Sequence, residues 1–270
     1  GQHVGVFFDQ HPDIFDSYNA VLAATEYSLV TTKAARNVIK RRAKFLSLPL
    51  STNNGQSMLT FDFLKMDVKK SKLTAEVIMK YLKSSSRIQI KTDAGTDLTL
   101  MKRGRMPGFF NGVTADGGGF SSASIEVYIP VEECGTNGTM VIDGSLGYIG
   151  AAREDTRVVF KEGRIVEIEE TPTGKRLKEY MEGYHDSGIY VAGELGIGLN
   201  SYSQCAGRCY IEDESAYGTF HIGLGRNIAL GGTHEANGHF DLVAREPNLF
   251  ADNRQLIQQG RIIIPEPVFF

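Results

Sequence analysis

Apolar and polar positions change rhythm part-way along the chain. Residues 4–8, Val-Gly-Val-Phe-Phe, form a short apolar run that reads as a buried strand. Ile14, Tyr18, Val21 and Leu22 then repeat at helical spacing over residues 13–24. A second helix is predicted over 32–44, with a basic side at Lys40, Arg41, Arg42 and Lys44, followed by a strand over 45–50. Val77, Ile78, Tyr81 and Leu82 mark an amphipathic helix over 73–83, and the alternating segments 87–92 and 98–102 pair across the turn Asp93-Ala-Gly-Thr-Asp97. Strand and helix therefore alternate over the first hundred residues, the pattern of an α/β layer.

After Pro107 short β runs dominate: 123–130, 139–142, 157–160, 164–169, 189–199, 219–224 and 240–245. Glu162-Gly163 turns one hairpin, a final one is centred on Gly260, and a single helix is predicted over 173–184. Most of the chain's 30 glycines fall in this second part. The expected fold is α+β: a small N-terminal α/β domain, residues 1–104, followed by a glycine-rich, mostly antiparallel β domain, residues 105–270, that carries the chemistry.

Charge and composition narrow the partners. A net charge of −3 leaves no basic footprint for nucleic acid, and no apolar run has the length of a membrane span. Three cysteines, an odd number in 270 residues, do not make a disulfide framework and point to a reducing cytoplasm.

The candidate chemistry gathers late in the chain. His239 and Asp241 stand at i and i+2, so on a strand both side chains leave the same face and offer one nitrogen and one oxygen ligand. Such a pair alone is equally a half-buried histidine beside a salt-bridged acid. His221 lies 18 residues earlier in an apolar strand, where an unpaired imidazole is costly to bury. Two histidines and a carboxylate form a facial set that leaves coordination positions open. Glu194 interrupts an apolar and glycine run, and Glu126 interrupts Ser124-Ile-Glu-Val-Tyr-Ile129. Acids in such strands are either outward-facing or partnered. His234, in the glycine-rich loop before His239, is a candidate for a supporting or substrate contact.

Four ordered motifs carry a family resemblance. They are Ser124-Ile-Glu-Val-Tyr-Ile-Pro130, Gly193-Glu-Leu-Gly-Ile-Gly-Leu-Asn200, Gly218-Thr-Phe-His-Ile-Gly-Leu-Gly225, and Gly231-Gly-Thr followed by His239-Phe-Asp241. Together they resemble the thermophilic metallo-aminopeptidases (aminopeptidases T and S and their relatives) over roughly residues 90–264. The resemblance implies two divalent metals, zinc, cobalt or manganese, on Glu126, Glu194, His221, His239 and Asp241, with Glu126 or Glu194 as general base. It implies a homodimer acting on a small peptide or other small molecule. The family's tyrosine ligand, expected about seven residues after the first histidine, is replaced by Ile228, and Tyr217 precedes that histidine. The same fold serves an iron-dependent dioxygenase acting on 2,5-dihydroxypyridine, whose single-metal set resembles His221, His239 and Asp241. The leading expectation is a metallo-aminopeptidase-like hydrolase, and the alternative is a mononuclear Fe(II) ring-cleaving dioxygenase.

Overall fold

The computed structural model describes residues 4–114, 120–122 and 124–264. Its α-helices are α1 (Val4–Gln10), α2 (Lys33–Lys40), α3 (Val68–Ser84), α4 (Pro172–Glu182) and α5 (Tyr210–Ser215). Three of them begin where the sequence supplies an acceptor for free N–H groups. Thr32 caps α2, Asp67 caps α3 through the amides of Lys69 and Lys70, and Thr171 caps α4 just ahead of Pro172.

The early strands are β1 (Ala20–Thr25), β2 (Lys44–Pro49), β3 (Arg87–Lys91), β4 (Asp97–Met101), β5 (Gly108–Phe110) and β6 (Phe120–Ser122). Then come β7 (Glu126–Pro130), β8 (Asn137–Ile142), β9 (Thr156–Lys161), β10 (Arg164–Ile168) and β11 (Ala192–Gly198). The chain ends its sheets with β12 (Thr219–Gly225), β13 (His239–Arg245), β14 (Asn248–Ala251), β15 (Arg254–Gln258) and β16 (Arg261–Ile262).

These strands make three sheets. A small parallel sheet runs β1-β2-β6, an antiparallel sheet of eight runs β10-β9-β8-β4-β3-β14-β15-β16, and an antiparallel sheet of five runs β13-β12-β11-β7-β5. The fold is α+β as expected, a small part with helices and parallel strands joined to a larger antiparallel part. The eight-stranded sheet takes β3 and β4 from before residue 104 and its other strands from after it, so a cut at 104 would pass through one sheet.

One apolar core joins the two large sheets. Ile88, Ile90, Leu98 and Leu100 come from the larger one, Val127, Leu195, Ile222 and Phe240 from the smaller, and α3 adds Ala75, Ile78 and Leu82. Strand alternation does the sorting. On β12, Phe220, Ile222 and Leu224 enter this core, which sends His221, Gly223 and Gly225 to the opposite face. That opposite face is where the chemistry sits.

Several early elements differ from the sequence expectation. Residues 4–8 lie in helix α1, not a strand, with Phe7 stacked on His11 one turn later at 4.4 Å between centroids. A five-residue apolar run carries no period that separates the two states. The predicted helix over 13–24 is instead a set of turns leading into β1, a strand at the edge of the parallel sheet. Its apparent apolar stripe is largely exposed, Tyr18 at 57% and Leu22 at 62%, so no buried face rewards a helix there. Ser187–Tyr190 is a 3-10 turn ahead of β11, and α5 is a second helix in a region where only one, over 173–184, was expected. No helix among the described residues is long and apolar enough to cross a membrane.

Candidate metal centre

Each candidate residue stands on the face of the five-stranded sheet that turns away from the core. Glu126 opens β7, Glu194 lies on β11, His221 on β12, and His239 and Asp241 on β13. Glycines on neighbouring strands make room for them. Gly198 faces Glu126, Gly196 faces His221, Gly223 faces both Glu194 and Asp241, and Gly225 faces His239. Cross-strand partners stand only about 5 Å apart, so a side chain in those places would fill the space the functional groups need. A Cβ on Gly196 would come within 1.9 Å of His221 Nε2. Gly196→Ala is therefore expected to push the His221 ring off its position and lower the metal bound per chain, measured by elemental analysis beside an unfolding curve. Full metal content in a folded Gly196→Ala protein would count against a role for His221.

The five residues meet in one pocket that Glu214 and Tyr210 of α5 also line, with about 20 Å³ of free space, enough for one water-sized group. Glu126, Glu194, Glu214, His221 and Asp241 are all buried. Two overlapping sets have ligand-type atoms within 4.8 Å of one another: Glu126, Glu194 and His221, and Glu194, His239 and Asp241. The histidines thus fall in different sets, joined by Glu194. His221 Nε2 is 2.9 Å from Glu126 Oε2, and His239 Nε2 is 3.2 Å from Glu194 Oε2 and 3.4 Å from Asp241 Oδ1.

The surrounding bonds orient these atoms. His239 Nδ1 is 2.9 Å from the carbonyl oxygen of Arg226, which fixes a proton on Nδ1 and turns Nε2 toward the pocket as the atom a metal would take. Tyr210 donates its hydroxyl to Asp241 Oδ2 at 2.7 Å, and Ser124 donates to Glu126 Oε1 at 2.7 Å. Each carboxylate therefore keeps one oxygen for the pocket. Asp241 Oδ1 and Glu126 Oε2 are buried and have no hydrogen bond among the described residues.

Titration follows from this crowding. Burial pulls His221 and His239 toward the neutral form, but the neighbouring carboxylates outweigh it. The pKa of His221 rises to about 9 and that of His239 to about 10. Burial raises Glu194, and it raises Glu214 well above the usual carboxylate range, helped by Glu126 and Asp241. For Asp241, burial is overcome by His239 and His221, which hold it below the ordinary range. Four acids and two histidines thus crowd one buried pocket, where a cation relieves the repulsion among the carboxylates. The oriented imidazole of His239, the unbonded carboxylate oxygens and the crowding of acids fit a metal.

Two contributors escaped the sequence reading, Tyr210 and Glu214, both from α5. Ile228, in the place of the expected tyrosine, lines an outer hollow and not this pocket, while a phenol reaches Asp241 from Tyr210, eleven residues before His221. His234 bonds the Gly188 carbonyl at 2.8 Å and stands outside the pocket.

Comparison with known proteins bears on what this centre does. A family model described as 2,5-dihydroxypyridine 5,6-dioxygenase matches residues 58–264. The 2,5-dihydroxypyridine 5,6-dioxygenase of Pseudomonas putida is 24% identical over 214 residues, which cover 74% of this chain and 60% of that protein. The chain thus spans less than two thirds of that relative's length. The solved structure of 2,5-dihydroxypyridine dioxygenase from Pseudomonas putida superposes with a TM-score of 0.74 at 17% identity, over 95% of this chain and 75% of that one. Wild-type AmpT from Thermus thermophilus gives 0.55 at 18% identity, over 73% and 55%, a distant link by fold alone. These matches overturn the aminopeptidase expectation and, with it, the peptide substrate and proteolysis: the matching family and the curated relative are dioxygenases.

Proposed function

The chain belongs to the 2,5-dihydroxypyridine 5,6-dioxygenase family, and we propose that it opens the ring of a small hydroxylated heteroaromatic substrate with dioxygen at one ferrous iron. The observation that carries this reading is the pair of oriented ligands on β13: His239 locked by the Arg226 carbonyl and Asp241 locked by Tyr210. His221, which stands nearest Glu126 and Glu194 and not in one set with the β13 pair, is the third ligand in this reading. When bound, ferrous iron supplies open coordination positions and the electrons that let a spin-paired ring react with dioxygen.

The protein's own groups do the rest. Glu194 lies against both histidine–acid sets, and burial raises its affinity for a proton. It takes the proton released when a ring hydroxyl ionises. Glu126, held by Ser124, keeps the His221 side of the pocket negative and the imidazole ring in place. Glu214 shares the pocket with Tyr210 and holds a proton more tightly than an exposed glutamate, which limits negative charge near an incoming oxygen function.

The test is oxygen uptake by iron-loaded protein given 2,5-dihydroxypyridine, with ring loss followed by ultraviolet absorbance. Uptake in one-to-one proportion with ring loss is expected, and its absence from protein shown to hold iron would sink the reading.

A further inference from the structure

Arg226 has no part in the chemistry assigned so far, yet it is only 6% exposed and lies beside the metal pocket. Its side chain stands on the wall between two hollows. The inner one, about 40 Å³, is also lined by His239, Tyr210, Tyr148 and Tyr184. The outer one, about 290 Å³, opens between α1, α2 and the loop after β12. The inner hollow shares Tyr210 and His239 with the metal pocket, and Arg226 and Thr31 with the outer hollow, so the three spaces are neighbours.

The guanidinium is half used. Nη1 pairs with Asp9 of α1. Nε and Nη2 are buried and meet no acceptor among the described residues. Gly5 of α1 stands over the same edge, where an added Cβ would come within 3.2 Å of Nη2. A buried donor without an acceptor is costly, and here two of them form the side-on fork of one guanidinium. That fork matches the two oxygens of a carboxylate. The other charged residues on the outer wall are Lys33, Arg36, Asp186 and Glu235, and Arg36 is exposed. Asp186 accepts from the amides of Gly188 and Asn237, and Glu235 lies 3.9 Å from Lys33.

We propose that Arg226 binds a carboxylate on the aromatic substrate, so that this chain takes hydroxylated ring acids in preference to neutral rings. Tyr148, Tyr184 and Tyr210 line the hollow that Arg226 and His239 share, a wall suited to an aromatic ligand. The backbone of Arg226 holds His239 through its carbonyl, so the anchor and a metal ligand are fixed in one frame. The substrate class rests on the dioxygenase reading, whereas the carboxylate contact can be measured without turnover.

The experiment is calorimetric titration of the full chain, as purified and matched for metal content, with benzoate and with benzamide. Wild-type protein is expected to bind benzoate about tenfold more tightly than benzamide. Arg226→Met should level the two, and Asp9→Asn, which frees Nη1, should strengthen benzoate binding. Equal affinity of wild-type protein for both probes, or an undiminished benzoate preference in Arg226→Met, overturns the proposal. If Arg226→Met does not fold, Arg226→Lys decides. Lysine keeps the charge but lacks the fork, so a preserved preference overturns the proposal and a reduced one supports it. Failure of oxygen uptake alone removes the ring-cleavage reading and leaves the carboxylate contact standing.

Discussion

On the proposed ferrous-iron reading, Asp241→Asn protein is expected to lose its iron and with it almost all oxygen uptake. The substitution keeps the shape of the side chain and can keep the Tyr210 bond, but it removes the negative charge that the pocket offers through Oδ1. In the wild-type protein that atom is buried, lies 3.4 Å from His239 Nε2, and has no hydrogen bond among the described residues. Loss of a mere supporting partner typically costs 10–100-fold in metal affinity, so loss of a ligand charge should exceed roughly a hundredfold. Tyr210→Phe removes only the bond to Asp241 Oδ2 and should fall within that 10–100-fold range. Dialysis against graded chelator, followed by iron analysis per chain, ranks the three proteins. If Asp241→Asn holds iron as tightly as wild type, the β13 pair is not the metal centre.

The five candidate residues were legible because each breaks a strand pattern: His221 among apolar neighbours, Glu126 and Glu194 in runs with no other charge, His239 and Asp241 two apart. What the pattern could not supply was pairing register. The glycines at 196, 198, 223 and 225 read only as a glycine-rich tract, and they acquire a reason once β11 and β12 are aligned with their neighbours and each glycine is seen opposite a functional side chain. Tyr210 and Glu214 were hidden for a different cause. Tyr210-Ile-Glu-Asp-Glu-Ser215 reads as a solvated acidic stretch, yet the whole helix is buried. Glu212 is held by Arg208, 2.6 Å away, and Asp213 Oδ1 accepts from the amides of Ala206 and Gly207 at 2.9 Å while its Oδ2 has no hydrogen bond among the described residues, local bonds that spacing alone does not reveal. The third is left for the pocket. The N-terminal region misled because its apolar residues are partly exposed: helical spacing predicts a helix only when a core stands ready to receive that face. The chemistry was misassigned for a related reason. The same ligand types suit hydrolysis and oxygen chemistry, and fold likeness does not choose between them.

Stripping the metal should lower the melting temperature by roughly 10 °C, the largest effect on stability expected here. The pocket gathers four acids and two histidines away from water, and a cation bound only by the folded state adds about 4 kcal/mol at a thousand times its dissociation constant. For a chain of this size each kcal/mol moves the transition by about 2–4 °C. The metal-free protein should also depend on pH in a definite direction. His221 and His239 have folded-state values raised to about 9 and about 10, above the ordinary 6.5. Their protonated forms therefore stabilise the metal-free fold fully below pH 6.5, and that contribution fades as pH rises toward 10. Glu194 and Glu214 are raised as well, so their contribution is likewise lost with rising pH. Asp241 is depressed, and its contribution is lost only in acid. Metal-loaded protein has these histidines neutral and engaged, so its curve should stay flat from pH 7 to 9 while the metal-free curve falls. Scanning calorimetry of both forms across that range makes the comparison. Parallel curves, or a metal-free form that gains stability as pH rises, would mean that the metal-free cluster is held by something other than pairing of protonated histidines with the carboxylates.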